Sequence, residues 1–135
     1  MSKPVITIDG VGFTDLEGFF DHFQRRAPLG AEWGHNLNAF NDVLRGGFGT
    51  PEGGFVLVWQ HHALSRKHLG YTETARQLQR TLVTCDSHSV ASVHRDIAQA
   101  LSKTGSTVYD WLLDIIRKHG PGGEEAEDAV ELRLE

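Results

Sequence analysis

One cysteine, Cys85, excludes an intramolecular disulfide in a chain of 135 residues. No uninterrupted apolar run approaches the roughly 20 residues of a membrane-spanning helix, and no basic stretch feeding an apolar segment opens the chain. These shortages lead to the expectation of a soluble, reduced, cytoplasmic protein, and the length suits one domain that buries a core without disulfides or a structural metal. Positive charge is also scarce. The net charge is −5, and the basic pairs Arg25-Arg26 and Arg66-Lys67 are short and far apart, so neither nucleic acid nor an anionic membrane is an expected partner.

The usual enzymatic signatures are missing as well. No HExxH, cysteine pair, phosphate loop or dinucleotide glycine spacing occurs. His61 and His62 end an apolar run, but neighbours on extended backbone point to opposite sides, which argues against a shared ion. Cys85 with Asp86 and His88 is a lone thiol in a polar turn. No metal or cofactor is expected, and the alternative left from another class is a small hydrolase or metal-binding enzyme using the strand-end histidines.

What is present is a succession of α and β patterns. "VITID" is β-branched and leads into Asp-Gly, a strand followed by a turn. "FTDLEGFFDHF" predicts a helix, with Thr14 and Glu17 as a capping box, Leu16, Phe19, Phe20 and Phe23 on one face, and Pro28 and Gly30 as its stop. A second helix is expected over residues 36–45, with Leu37, Phe40 and Leu44 inward and Gly46-Gly47 as its end. After a glycine-rich connector, "FVLVW" is apolar without alternation, as suits a central strand covered on both faces. "ALSRKHLG" reads as a short helix. "TETARQLQRTL" (Ala75, Leu78, Leu82 inward) and "SVASVHRDIAQAL" (Val90, Val93, Ile97, Leu101 inward) read as two more. "TVYDWLLDIIRKHG" has a capping box at Thr107 and Asp110 and a stripe of Val108, Trp111, Leu112, Ile115 and Ile116. An acidic loop and the alternating "VELRLE" close the chain. Three strands separated by helices favour a small parallel sheet, because parallel neighbours need long crossovers.

The stretch "WGHNLNAFNDVLRGG" is unusual for a core-forming helix. Asparagine and aspartate lower helix propensity by a few tenths of a kcal/mol each, yet Asn38 and Asp42 share one face and Asn41 and Arg45 the adjoining one. Short polar side chains on an exposed face present hydrogen bonds at modest entropic cost, which suits a binding surface. The plainer reading is that Asn36 caps the helix and the rest is solvated. Trp33 reads either as a core aromatic or as an interface anchor beside Gly34.

Charge is uneven along the chain. Residues 1–105 hold ten acids and ten Lys or Arg, whereas residues 106–135 hold eight acids and three bases. That end would steer a basic partner toward it, or simply keep the protein in solution.

These residues resemble the barstar family of small intracellular inhibitors of the extracellular bacterial ribonuclease barnase. The family pattern is an aromatic, then Gly-Glu-Asn-Leu-Asp-Ala-Leu-Trp-Asp-Cys-Leu, a glycine-containing loop, a proline and an apolar strand ending in Glu-Trp. Here the chain runs Trp33, Gly34, His35, Asn36, Leu37, Asn38, Ala39, Phe40, Asn41, Asp42, Val43, Leu44, then Gly46, Pro51 and "FVLVW". The resemblance covers about residues 5–69 and 106–135. It implies an α/β fold, a three-stranded parallel β-sheet packed with helices in a single α/β layer, with residues 1–135 one domain and 70–105 a helical insertion.

It also implies a non-enzymatic inhibitor of immunity type, whose second helix and following loop enter a nuclease cleft and whose acids mimic substrate phosphates. Asp42 matches the family's central helix carboxylate. Asn38 stands where the family has another acid, Asn41 where it has tryptophan, Arg45 where it has threonine, Gly47 where it has tryptophan and His35 where it has glutamate. Asp114 matches a further acid of the last helix after a shift of one residue. The partner-binding set implied is Trp33, Gly34, His35, Asn38, Asn41, Asp42, Arg45, Gly46 and Asp114. An acid-poor helix ending in arginine is less complementary to barnase itself. The implied partner is therefore another basic extracellular-type ribonuclease or nuclease toxin, met with the further acidity of Asp110, Asp114 and the 124–128 loop. No oligomeric state is implied.

Overall fold

A computed structural model describes residues 3–27, 33–46, 48–51 and 53–135. The expected helix stops at Pro28, Gly30 and Gly47 lie outside these residues. Strands β1 (Val5–Asp9), β2 (Phe55–Gln60) and β3 (Val130–Leu134) form one parallel sheet in the order β1-β2-β3. The most apolar strand takes the centre, as its composition demands. Ile6 pairs with Leu57, Ile8 with Trp59, and Leu57 with Leu132. Period-2 alternation therefore aims Ile6, Ile8, Phe55, Leu57, Trp59 and Val130 into one helix-packed core.

The helices are α1 (Leu16–Arg26), α2 (Leu37–Arg45), α3 (His62–His68), α4 (Tyr71–Thr84), α5 (Val90–Leu101) and α6 (Val108–Lys118). Their aromatics knit the core. Phe19 meets Phe13 and Phe40 edge-on at 5.4 Å between ring centroids, and Phe23 meets Phe40 at 5.1 Å. Such pairs add about 0.5–1.5 kcal/mol each to the burial they already provide. Trp59 is fully buried and donates its indole N–H to Ser65 Oγ at 2.9 Å, so the one polar atom of the central strand's largest side chain is satisfied.

Several local expectations shift. Asp15, not Thr14, caps α1: its carboxylate accepts the Gly18 N–H at 2.7 Å, which a residue with Asp's strong N-cap preference readily does. Glu17 makes no reciprocal cap and instead binds Arg76, Gln77 and Arg80 of α4. The helix's first N–H, at Leu16, is taken by Glu73 of α4 at 2.9 Å. In α2 the fully buried positions are Phe40 and Val43, with Leu44 beside them, while Leu37 is half-buried because it sits on the first, open turn. In α6 Tyr109 and Leu113 are buried and Trp111 and Ile115 only partly so. Leu101, expected inward, is 68% exposed, and Ala100 takes its place. The capping box at Thr107 and Asp110 forms as expected.

Helices α4 and α5 pack on each other as a hairpin. Its base is bound to the core. Glu73, Thr74 and Ala75 are buried, Thr74 Oγ1 accepts the Val108 N–H at 2.9 Å, and the Leu69 carbonyl accepts the Tyr109 N–H at 3.1 Å. Its far side is solvated, with Val83 85% exposed. No helix among the described residues is long and apolar enough to cross a membrane.

Candidate functional site

The entry to α2 is built by a tight turn. The Gly34 carbonyl accepts the Asn36 N–H at 2.7 Å, and Asn36 Oδ1 caps the helix through the Ala39 N–H at 2.8 Å. The exit is Gly46, whose φ of +107° is a region that L side chains rarely adopt. Below the helix, Thr50 Oγ1 returns a hydrogen bond to the Val43 carbonyl at 3.0 Å, fixing the connector to the C-terminal turn.

Trp33 belongs to the core. It is 8% exposed, stands edge-on to Phe20 at 5.6 Å, and donates its indole N–H to Gln24 Oε1. Its ring instead carries His35, 4.7 Å away between centroids, which is itself exposed and 3.4 Å from Asp21. Of the two readings open to Trp33, the structure takes the core aromatic.

The outward face of α2 holds Asn38 and Asp42, both exposed and neither beneath α4 or α5. Asn38 instead lines a cleft of about 840 Å³ beside His35, Gln77, Arg80, Thr84 and Trp111. Asn41 is drawn out of this set: half-buried, it places Oδ1 2.7 Å from Nε2 of His119, a residue with no exposed surface. The expectation that Asn41 faces outward with Arg45 is thereby corrected, since a buried imidazole requires a partner and Asn41 is in reach. Asp114 is exposed but lines a separate cleft with Lys118, Pro121, Glu124 and Leu132, so the structure does not bring it beside Asn38 and Asp42.

The acidic loop closes on the other side of α2. Arg45 Nη1 donates to Asp42 Oδ1 at 3.3 Å, and its Nη2 donates to Glu125 Oε1 at 2.5 Å. The hydrogen bond from Arg45 holds the Glu125 carboxyl below the usual range, and Glu125 in turn raises the guanidinium further. Asp128 lies 2.6 Å from His119 Nδ1. Arg45 thus docks the 124–128 loop on α2, and His119, which follows α6 and is itself held by Asn41 of α2, docks its other end, so the helix face and the loop form one surface with Asp42 beside Arg45 at their junction. Nothing in the local pattern of "RKHG" pointed to His119, because Asn41 lies 78 positions away.

The strand-end histidines diverge. His61, with φ of +52°, sets Nδ1 2.8 Å from Asp9 Oδ1, which also accepts the Val11 N–H, while His62 Nδ1 faces Tyr109 Oη at 2.9 Å. Neither lines the clefts described above.

A family model described as Barstar (barnase inhibitor) matches residues 3–86. No curated protein matches the chain. The match is continuous from before β1 through α4, so it extends into the segment expected as an insertion, while α5, α6 and β3 lie beyond it. Since the match covers more than half of the chain and the three-stranded parallel sheet packed with helices agrees with it, the chain belongs to the barstar family.

Proposed function

We propose that this protein is a ribonuclease inhibitor of immunity type, which binds a basic, barnase-like ribonuclease and occludes its active-site cleft. Membership of the barstar family supports a ribonuclease-inhibitor-type binding function, and that family consists of non-catalytic inhibitors. The observation that carries the reading is the exposed α2 face: Asn38 and Asp42 are both open to solvent, Asn38 at the rim of the cleft that α4 walls and Asp42 beside the Arg45 that holds the acidic loop. Asp42 is the anchor, placed to meet a cation of the nuclease where water is excluded. Asn38 and Gly46 stand one turn to either side of it and Arg45 bonds it, His35 lies by Asn38 at the cleft, Trp33, Gly34 and Asn41 hold the helix in place, and Asp114 with the 124–128 loop adds negative charge.

The target is of extracellular type or a nuclease toxin, met in the producer's cytoplasm. The whole chain acts as one domain, and residues 70–105 are a helical addition whose α4 walls the cleft beside Asn38. The test is RNA cleavage by a panel of basic extracellular-type ribonucleases and nuclease toxins with increasing inhibitor. Stoichiometric loss of cleavage by at least one is expected. Unchanged cleavage throughout, with affinity capture returning a partner that is not a nuclease, would overturn the reading.

A further inference from the structure

We propose that His119, Glu125 and Asp128 form a binding site for one divalent transition-metal ion of the zinc class, which rivets the acidic loop to α2 and α6. Their ligand atoms all lie within 4.8 Å of one another. His119 Nε2 faces the acceptor Oδ1 of Asn41 at 2.7 Å, so this nitrogen carries the hydrogen. Nδ1 is left facing Asp128 Oδ2 at 2.6 Å and Glu125 Oε2 at 3.3 Å. A lone pair and two carboxylates repel unless a positive species lies between them, either a proton or a metal ion.

A proton bridges one pair only. Shared with Asp128, it leaves Glu125 Oε2 buried and without a hydrogen-bond partner among the described residues, which is unfavourable for a carboxylate oxygen. A metal ion satisfies all three atoms together. The Nε2–H bond to an amide oxygen is the outer-shell contact that orients metal-ligating imidazoles. Arg45 occupies the other oxygen of Glu125, so that carboxylate offers a single atom.

Bond lengths of about 2.0–2.1 Å in a tetrahedral zinc site separate ligand atoms by about 3.3 Å. The Nδ1–Oε2 distance is already 3.3 Å. Asp128 Oδ2 would withdraw from Nδ1 by about 0.7 Å, a small rotation on the short 3-10 turn Ala126–Asp128. Two carboxylates and a neutral imidazole balance a 2+ ion, and the nitrogen ligand favours zinc over magnesium or calcium. The side chains of Glu125 and Asp128 are 22% and 17% exposed, which leaves a route for the ion and for a water as fourth ligand.

The test is calorimetric titration of the EDTA-stripped, full-length protein with zinc chloride near neutral pH, with native mass spectrometry for stoichiometry. One zinc per chain is expected, and Glu125→Gln and Asp128→Asn should each weaken binding by about tenfold or more. His119→Gln should abolish it, with circular dichroism reporting whether that buried variant stays folded. If it unfolds, the two loop variants decide. No bound zinc, or zinc binding unchanged in both loop variants because exposed histidines such as His88 take the ion, overturns the site and leaves a proton on Nδ1.

Discussion

A carboxylate on an exposed helix gains little from a neighbouring cation in water and much more from one inside a desolvated cleft. Asp42 is 56% exposed and only loosely held by Arg45, so its folding role is small and its binding role large. Asp42→Ala should weaken binding to the cognate ribonuclease by at least about 2 kcal/mol while changing folding stability by under about 0.5 kcal/mol. Calorimetry and urea unfolding read the two quantities, and an unchanged Kd would remove Asp42 as anchor. The barstar–barnase pair is itself a standard case of a single-acid hot spot and of electrostatic steering, and its magnitudes belong to that pair alone. His22 responds to pH in the opposite sense to a salt-bridged histidine. Burial, then Arg26 and Arg25, holds its imidazole below the usual value, and its Nε2 accepts the Asp9 N–H at 3.0 Å. A lowered pKa favours the neutral ring in the fold, so this contribution is intact above about 6.5 and lost as pH falls below it. Unfolding free energy should therefore drop between about pH 7 and pH 5, less steeply in His22→Gln.

The three asparagines of α2 separate into different roles at the scale of the element. Asn36 caps, Asn41 holds the buried His119, and Asn38 alone remains on the outward face. Asn36 thus sits where asparagine is favoured, the helix-propensity cost of Asn41 is offset by a structural hydrogen bond, and Asn38 is the asparagine left, with Asp42, for recognition. The start of α1 shows the same dependence on distant partners, because its Leu16 N–H is served by Glu73, 57 positions away. Burial pushes the Glu73 carboxyl up, but hydrogen bonds from Arg76, Gln77 and the Leu16 N–H outweigh it and leave the pKa below its usual value. This stabilisation is present above about pH 4.3 and lost as pH falls through the lowered value. Glu73→Ala should cost about 1.5–3 kcal/mol near neutral pH, and the difference from the parent should shrink in acid, as read by urea unfolding at both pH values. Phe19, which touches Phe13, Phe40 and Trp59 and has no exposed surface, should cost about 3–5 kcal/mol when cut to alanine.

Across the whole molecule the charge asymmetry acquires a direction. The acidic surplus of residues 106–135 includes the loop that Arg45 and His119 dock beside Asp42, so part of that negative charge lies where the partner is proposed to enter. Steering by such a field is screened over a Debye length that shrinks from about 10 Å at 0.1 M salt to about 3 Å at 1 M. Association with a basic ribonuclease should slow by about tenfold or more across that range, measured by stopped flow. A salt-independent rate would remove steering from the account. The α4–α5 hairpin carries little of this field, its acids and bases being nearly balanced, and Glu17 and Glu73 are neutralised by Arg76 and Arg80.

The sequence by itself determined the strands β1 to β3 and the helices α1 to α6 of the described residues, the central position of "FVLVW" and the caps at Asn36 and Thr107. These depend on local propensity, periodicity and chain connectivity, which a linear pattern carries. It also marked Asp42 and the amide-rich helix, through side chains that a solvated helix has little use for. Only the tertiary structure decided that Trp33 is a core residue, that Asn41 belongs to His119, that Glu73 serves the start of α1 and that the acidic loop docks on α2. Each of these is a hydrogen bond or a packing contact between residues far apart in the chain, formed because a buried polar group must find whichever partner the fold brings near, and no periodicity records which one that is.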